Sequence, residues 1–129
     1  MLDHLVVDGY NVLYAWGRGR ATPMAVARQQ LIQELELVAA HRGIRCTIVF
    51  DGQPLEDLLH ASNDLVTVTF SGPGQSADTV IERLVCGRQQ RCGIVVVTDD
   101  RAEADLVVGM GAHCWSSATL AGWLTEVRD

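Results

Sequence analysis

"CGIVVVTDDRAEAD", Cys92 to Asp105, is the stretch on which the fold turns. The uninterrupted apolar, β-branched run Ile94 to Val97 is the most apolar in the chain, as expected for a strand at the centre of a parallel sheet, covered on both faces. Four carboxylates follow within eight residues: Asp99, Asp100, Glu103 and Asp105. "DRAEADLVVGMGAH" then reads as a short helix with a glycine stop. A strand handing over to a helix is part of a βαβ unit, and the rest of the chain carries the same alternation.

Working outward, "HLVVDG" (His4 to Gly9) is a short strand stopped by Asp-Gly, and "IRCTIVFDG" is a second with the same ending. "LVTVTF" (Leu65 to Phe70) is a third, bounded by the turn Gly72-Pro73-Gly74. Between the first two lies a long helix, with Thr22 as its N-cap, Pro23 at its first position and Gly43 as its stop. Val26, Leu31, Leu35 and Val38 mark its buried side. Ser76 is the N-cap of a helix with the stripe Ala77, Val80, Ile81, Leu84 and Val85. "HCW" supplies a fifth strand, and "SATLAGWLTEVR" a closing helix capped by Ser116 or Ser117. The order predicts a three-layer α/β fold with a central, mostly parallel β-sheet flanked by helices. Ligands of such sheets gather at the carboxyl ends of the strands, where strand order reverses.

Composition narrows the class. With 129 residues, 48% apolar and 20% charged, the chain reads as one globular domain over 1–129. No apolar run approaches the ~20 residues of a membrane helix, and no basic segment precedes the short apolar run at the N-terminus. A cytoplasmic protein without a membrane partner is the expectation. The four cysteines, Cys46, Cys86, Cys92 and Cys114, form no CxxC pair and are read as free thiols. All ten cations are arginine, which excludes a P-loop or a Schiff-base lysine. The net charge of −6 argues against a broad nucleic-acid footprint, unless several acids are gathered in one metal site.

The acids have that arrangement. Asp8 follows the first strand, Asp51 the second, and Asp99-Asp100 the central one, so all face one edge of the sheet. Asp78 lies in the first turn of its helix, with Glu82 at i+4 on the same face. Carboxylates brought into one small volume repel each other unless a cation neutralises them, and an all-oxygen site suits Mg²⁺ or Mn²⁺. Each acid also has a plain reading: Asp8 and Asp51 as turn residues, Asp78 as a helix-dipole charge, Asp100 as a cap paired with Glu103, Asp105 as surface. Asn11 is either a ligand for substrate or metal water, or an ordinary cap. Tyr10 is either core filling or a stacking platform.

"VVDGYNVL", "IVFDG", "SADTVIERLV" and "VVVTDDRAEADLVVGMGAHCWSS", in this order, resemble the YacP-like family of NYN domains, part of the wider PIN-like nuclease group. The likeness runs from Asp3 to about Leu124. It implies a PIN-like fold and a metal-dependent endoribonuclease with Mg²⁺ or Mn²⁺, hydrolysing phosphodiester bonds through activated water and no protein nucleophile. By position it assigns Asp8, Asp78 and Asp100 to catalysis and metal binding, with Asp51 and Glu82 as further metal-site acids and Asn11 as a substrate contact; Asp99, beside Asp100, is a further metal candidate on its own charge. Candidate phosphate contacts are Arg18 and Arg20 in "WGRGRATP", and Arg101 beside Asp100; Trp16 is a stacking residue or a partly buried aromatic. The implied partner is RNA, single-stranded or messenger, with ribosome association and a homodimer left open. Three departures stand out. Asp99 replaces a small polar residue such as serine, Ala104 replaces glutamine, and the chain is shorter than many members at its C-terminus. The alternative is therefore a catalytically weak RNA-binding or regulatory module.

Overall fold

The computed structural model describes residues 2–20, 22–88 and 91–128. In chain order these form β1 (His4–Asp8), α1 (Gly9–Ala15), α2 (Met24–Arg42), β2 (Arg45–Phe50), β3 (Val66–Phe70), α3 (Ala77–Cys86), β4 (Ile94–Val97), α4 (Arg101–Gly109), β5 (His113–Trp115) and α5 (Ser117–Arg128). Single 3₁₀ turns lie at Glu56–Leu58 and Arg91–Gly93. The strands make one sheet in the order β3-β2-β1-β4-β5, and every neighbouring pair is parallel. β1 sits at the centre, with Val6 opposite Thr47 on one side and Val96 on the other.

Strand alternation divides the core into two layers. Leu5 and Val7 of β1, Ile48 and Phe50 of β2, and Val95 and Val97 of β4 meet Val12, Leu13, Leu31, Leu35 and Leu120 from α1, α2 and α5. Val6, Val49, Ile94 and Val96 point the other way, onto Val80, Ile81, Val85 and Val107 of α3 and α4. Covering both faces is what makes these strands apolar along their whole length.

The two Asp-Gly pairs part company. Gly52 takes φ 108° and turns the chain after β2, as expected. Gly9 instead opens α1, a helix that the sequence reading took for a turn. A side chain there would stand 2.5 Å from the Phe50 ring, so glycine lets the helix lie directly on β2. At α2, Pro23 is the N-cap and has no side chain to offer, so Thr22 falls one position outside. Val26 is 44% exposed and is not part of the buried side, whereas Leu31, Leu35 and Val38 are. The helix ends as read, with Gly43 left-handed at φ 65°. Ser76 caps α3 by accepting the Thr79 N–H at 3.3 Å, and Ser116 accepts the Thr119 N–H at 3.2 Å to start α5. The four cysteines are free. No helix among the described residues is long and apolar enough to cross a membrane.

Chain direction along the sheet reverses between β1 and β4: β2 and β3 follow outward from one, β5 from the other. The crevice of the fold therefore opens between the carboxyl ends of β1 and β4, where Asp8 ends one strand and Thr98-Asp99-Asp100 follow the other.

Candidate active site

Asp8 is only 8% exposed. The buried Thr98 hydroxyl donates to its Oδ2 at 3.3 Å. That hydroxyl accepts the Asp100 N–H at 3.1 Å, so its one proton is free to serve Asp8, and the two acids are tied through it. Burial, then the charge of Asp78, push the Asp8 carboxyl up to about 6; Asp100 adds to the rise and Thr98 opposes it. Asp78, half-buried in the first turn of α3, is raised by burial and then by Asp100, Glu82 and Asp51. These five acids thus share one field, as their places at the strand ends and on α3 predict. Asp51 is exposed and held at 3.0 Å by the Ser71 hydroxyl. Asp100 caps α4 by accepting the Glu103 N–H at 3.2 Å.

A sixth acid stands with them. Glu103 is 3% exposed, and its Oε1 has no hydrogen-bond partner. Burial lifts its carboxyl to about 8, followed by repulsion from Asp78, Glu82, Asp8 and Asp100. Sequence reading gave Glu103 a helix-start role, and its backbone N–H does fill one. Its side chain was missed. The signal was Val107, one turn on and fully buried, which marks that face of α4 as the inner one.

Asp99 points elsewhere. Its carboxylate accepts the Ser117 N–H at 2.8 Å and the Ser117 hydroxyl at 2.6 Å, so both oxygens are engaged at the start of α5. Its own N–H donates to Asn11 Oδ1 at 2.8 Å, which fixes that amide in the crevice between β1 and β4. Trp16 donates its ring N–H to the Ser117 carbonyl at 3.1 Å, and so belongs to the same α1–α5 junction. Arg18, expected beside the acids, has its guanidinium on both oxygens of Glu34 in α2, where Arg128 also binds at 2.7 Å. Arg20 and Arg101 are exposed, the latter at the first residue of α4 beside Asp100. Tyr10 is a packing residue, its ring 5.1 Å from that of Phe50.

No arginine is among the charges acting on Asp8, Asp78 or Glu103. Among the described residues, no three His, Cys, Asp or Glu side chains are arranged to hold a metal ion as they stand. The chemistry of the donor set still fits a hard divalent cation: all oxygen, partly dry, and with one buried oxygen unpartnered.

A family model for the YacP-like NYN domain matches residues 5–129. A Bacillus subtilis (strain 168) protein named "Uncharacterized protein YacP" is 33% identical over 116 residues, which span 86% of this chain and 68% of that one. The crystal structure of Bacillus subtilis Rae1 (YacP) superposes with a TM-score of 0.81 at 30% identity, covering 98% of this chain and 76% of Rae1. A Trp-to-Leu mutant of Rae1 gives 0.82, again at 30% identity, with 98% and 77% covered. With the family model matched over residues 5–129 and the fold shared over nearly the whole length, the chain belongs to the YacP-like NYN domain family.

Proposed function

We propose that the protein is a metal-dependent endoribonuclease, with Asp8, Asp78 and Asp100 holding Mg²⁺ or Mn²⁺ and Asp51 and Glu82 alongside. The observation that carries this reading is Asp8 itself: a buried carboxylate at the point where strand order reverses, repelled by Asp78 and Asp100 and offset by no arginine. A bound divalent ion supplies charge neutralisation at a phosphodiester and an acidified water. The chain's own part is positioning. Thr98 holds Asp8 and the start of α4 in one register, and Asn11, its oxygen fixed by the Asp99 N–H, has its amide nitrogen left for a ligand. Exposed Arg101 stands where a phosphate approaching Asp100 would pass, and Arg20 lies in the segment after α1. Arg18 has no place in this scheme while Glu34 holds it.

RNA is the proposed substrate, single-stranded so that a phosphodiester can enter an acidic crevice without a second backbone. The alternative, a binding module without turnover, draws on Asp99, Ala104 and the net charge of −6. With both Asp99 carboxylate oxygens bound by Ser117 at the start of α5, Asp99 has a structural role of its own, and that support weakens. Incubation of single-stranded RNA with Mn²⁺ is expected to give internal cleavage that Asp8→Asn and Asp100→Asn abolish. Equal inertness of wild type and both variants on structured and unstructured RNA would overturn the nuclease reading.

A further inference from the structure

We propose that Glu103 is a further cation-holding carboxylate of this site, reaching it from α4 opposite Asp78 and Glu82 of α3; the assignment rests on the metal-dependent reading above. Two acid pairs then lie on the contacting helices α3 and α4, each within one helical turn: Asp78 with Glu82, and Asp100 with Glu103.

Burial is the first argument. Leaving a carboxylate oxygen dry and without a donor is strongly unfavourable, and natural interiors avoid it unless a cation or a reaction needs it. Glu103 Oε1 is in that condition, and among the described residues Arg28 Nε is the other buried side-chain atom without a partner. A purely structural role on α4 would be served by an apolar residue, since Val107 on the same face already packs into the layer under β1 and β4. The second argument is what surrounds it. All the charges that act on Glu103 are acids, Asp78 and Glu82 ahead of Asp8 and Asp100. The Glu103 N–H donates to Asp100 Oδ1, which seats the first turn of α4 beside Asp100. The oxygen count grows without changing ligand type, which suits an ion that takes six ligands and keeps several waters.

The test is titration of Mn²⁺ into the full chain, by calorimetry or by the loss of free-ion electron-spin signal, on wild type, Glu103→Gln and Asp8→Asn. Glu103→Gln is expected to weaken Mn²⁺ binding about tenfold or more, while the metal-free variant melts no lower than wild type because Glu103 Oε1 has no hydrogen-bond partner to lose. If Glu103→Gln binds Mn²⁺ within about twofold of wild type and Asp8→Asn does not bind, Glu103 is no ligand and the site reading stands. If wild type itself takes up no Mn²⁺, the site reading falls and takes Glu103 with it. Should Glu103→Gln not fold, Glu103→Asp decides: it keeps the charge but draws it back by one methylene. Weakened binding by this variant supports the assignment, and unchanged binding overturns it.

Discussion

Glu34 and Glu103 are the two buried glutamates, 6% and 3% exposed, and their surroundings are opposite. Glu34 lies on α2 with each oxygen met by a guanidinium, Arg18 from the loop after α1 and Arg128 from the end of α5. Glu103 lies on α4 with Asp78, Glu82, Asp8 and Asp100 as the charges acting on it and one oxygen unpartnered. A carboxylate buried to join helices brings its counter-charges from the chain. One buried among its own kind leaves that task to something from outside, and this contrast separates the structural acid from those of the site. The arginines are spent accordingly: two at Glu34, and none among the charges on Asp8, Asp78 or Glu103.

The largest expected effect is at Glu34. Glu34→Ala leaves Arg18 and Arg128 without their partner and is expected to cost about 3 kcal/mol in urea unfolding, with Mn²⁺ affinity unchanged. A loss well below 1 kcal/mol would break the contrast from its structural side.

Next comes pH. Asp8, raised from 3.8 to about 6, and Glu103, raised from 4.5 to about 8, hold their protons more tightly folded than unfolded. The folded state therefore gains from these groups below pH 4, and the gain is lost as pH rises from there through 6 and then 8. Metal-free protein should lose stability over this window, by up to about 1.4 kcal/mol per pH unit for each proton difference. Saturating Mn²⁺ should flatten the slope. A metal-free melting temperature that climbs steadily from pH 5 to 8 would contradict both assignments.

Asp99 gives a smaller, sharper comparison with Asp100, its neighbour. Asp99→Ala removes the carboxylate at the start of α5 and should cost about 1 kcal/mol, leaving Mn²⁺ binding within about twofold. A parallel loss of Mn²⁺ binding would return Asp99 to the ligands. The smallest effect is expected at Arg101: Arg101→Ala should weaken RNA binding a few-fold and lower its salt dependence by about one ion, with stability unchanged.

How much of this was legible depended on range. β-branched runs, the Gly43 stop, the Ser76 cap and the acids at strand ends are local signals, and local chemistry realises them. α1 was hidden because Gly9-Tyr10-Asn11 reads as a turn, and a seven-residue helix owes its existence to contact with β2. Asp99 and Asp100 are adjacent and alike in sequence; what parts them is Ser117, arriving from 18 residues further on. Arg18 was likewise taken by Glu34, 16 residues away. Glu103 alone left a trace in sequence, through its i,i+4 spacing to Val107.

The central claim is that these clustered acids, Asp8 and Glu103 buried among them and none offset by an arginine, are held for a divalent cation, and Mn²⁺ titration calorimetry across pH tests it most directly. Wild type should bind about tenfold or more tightly at pH 8 than at pH 5.5, releasing protons as it does, and Asp8→Asn should lose most of that affinity. Mn²⁺ binding that is independent of pH and equal in wild type and Asp8→Asn would contradict the account.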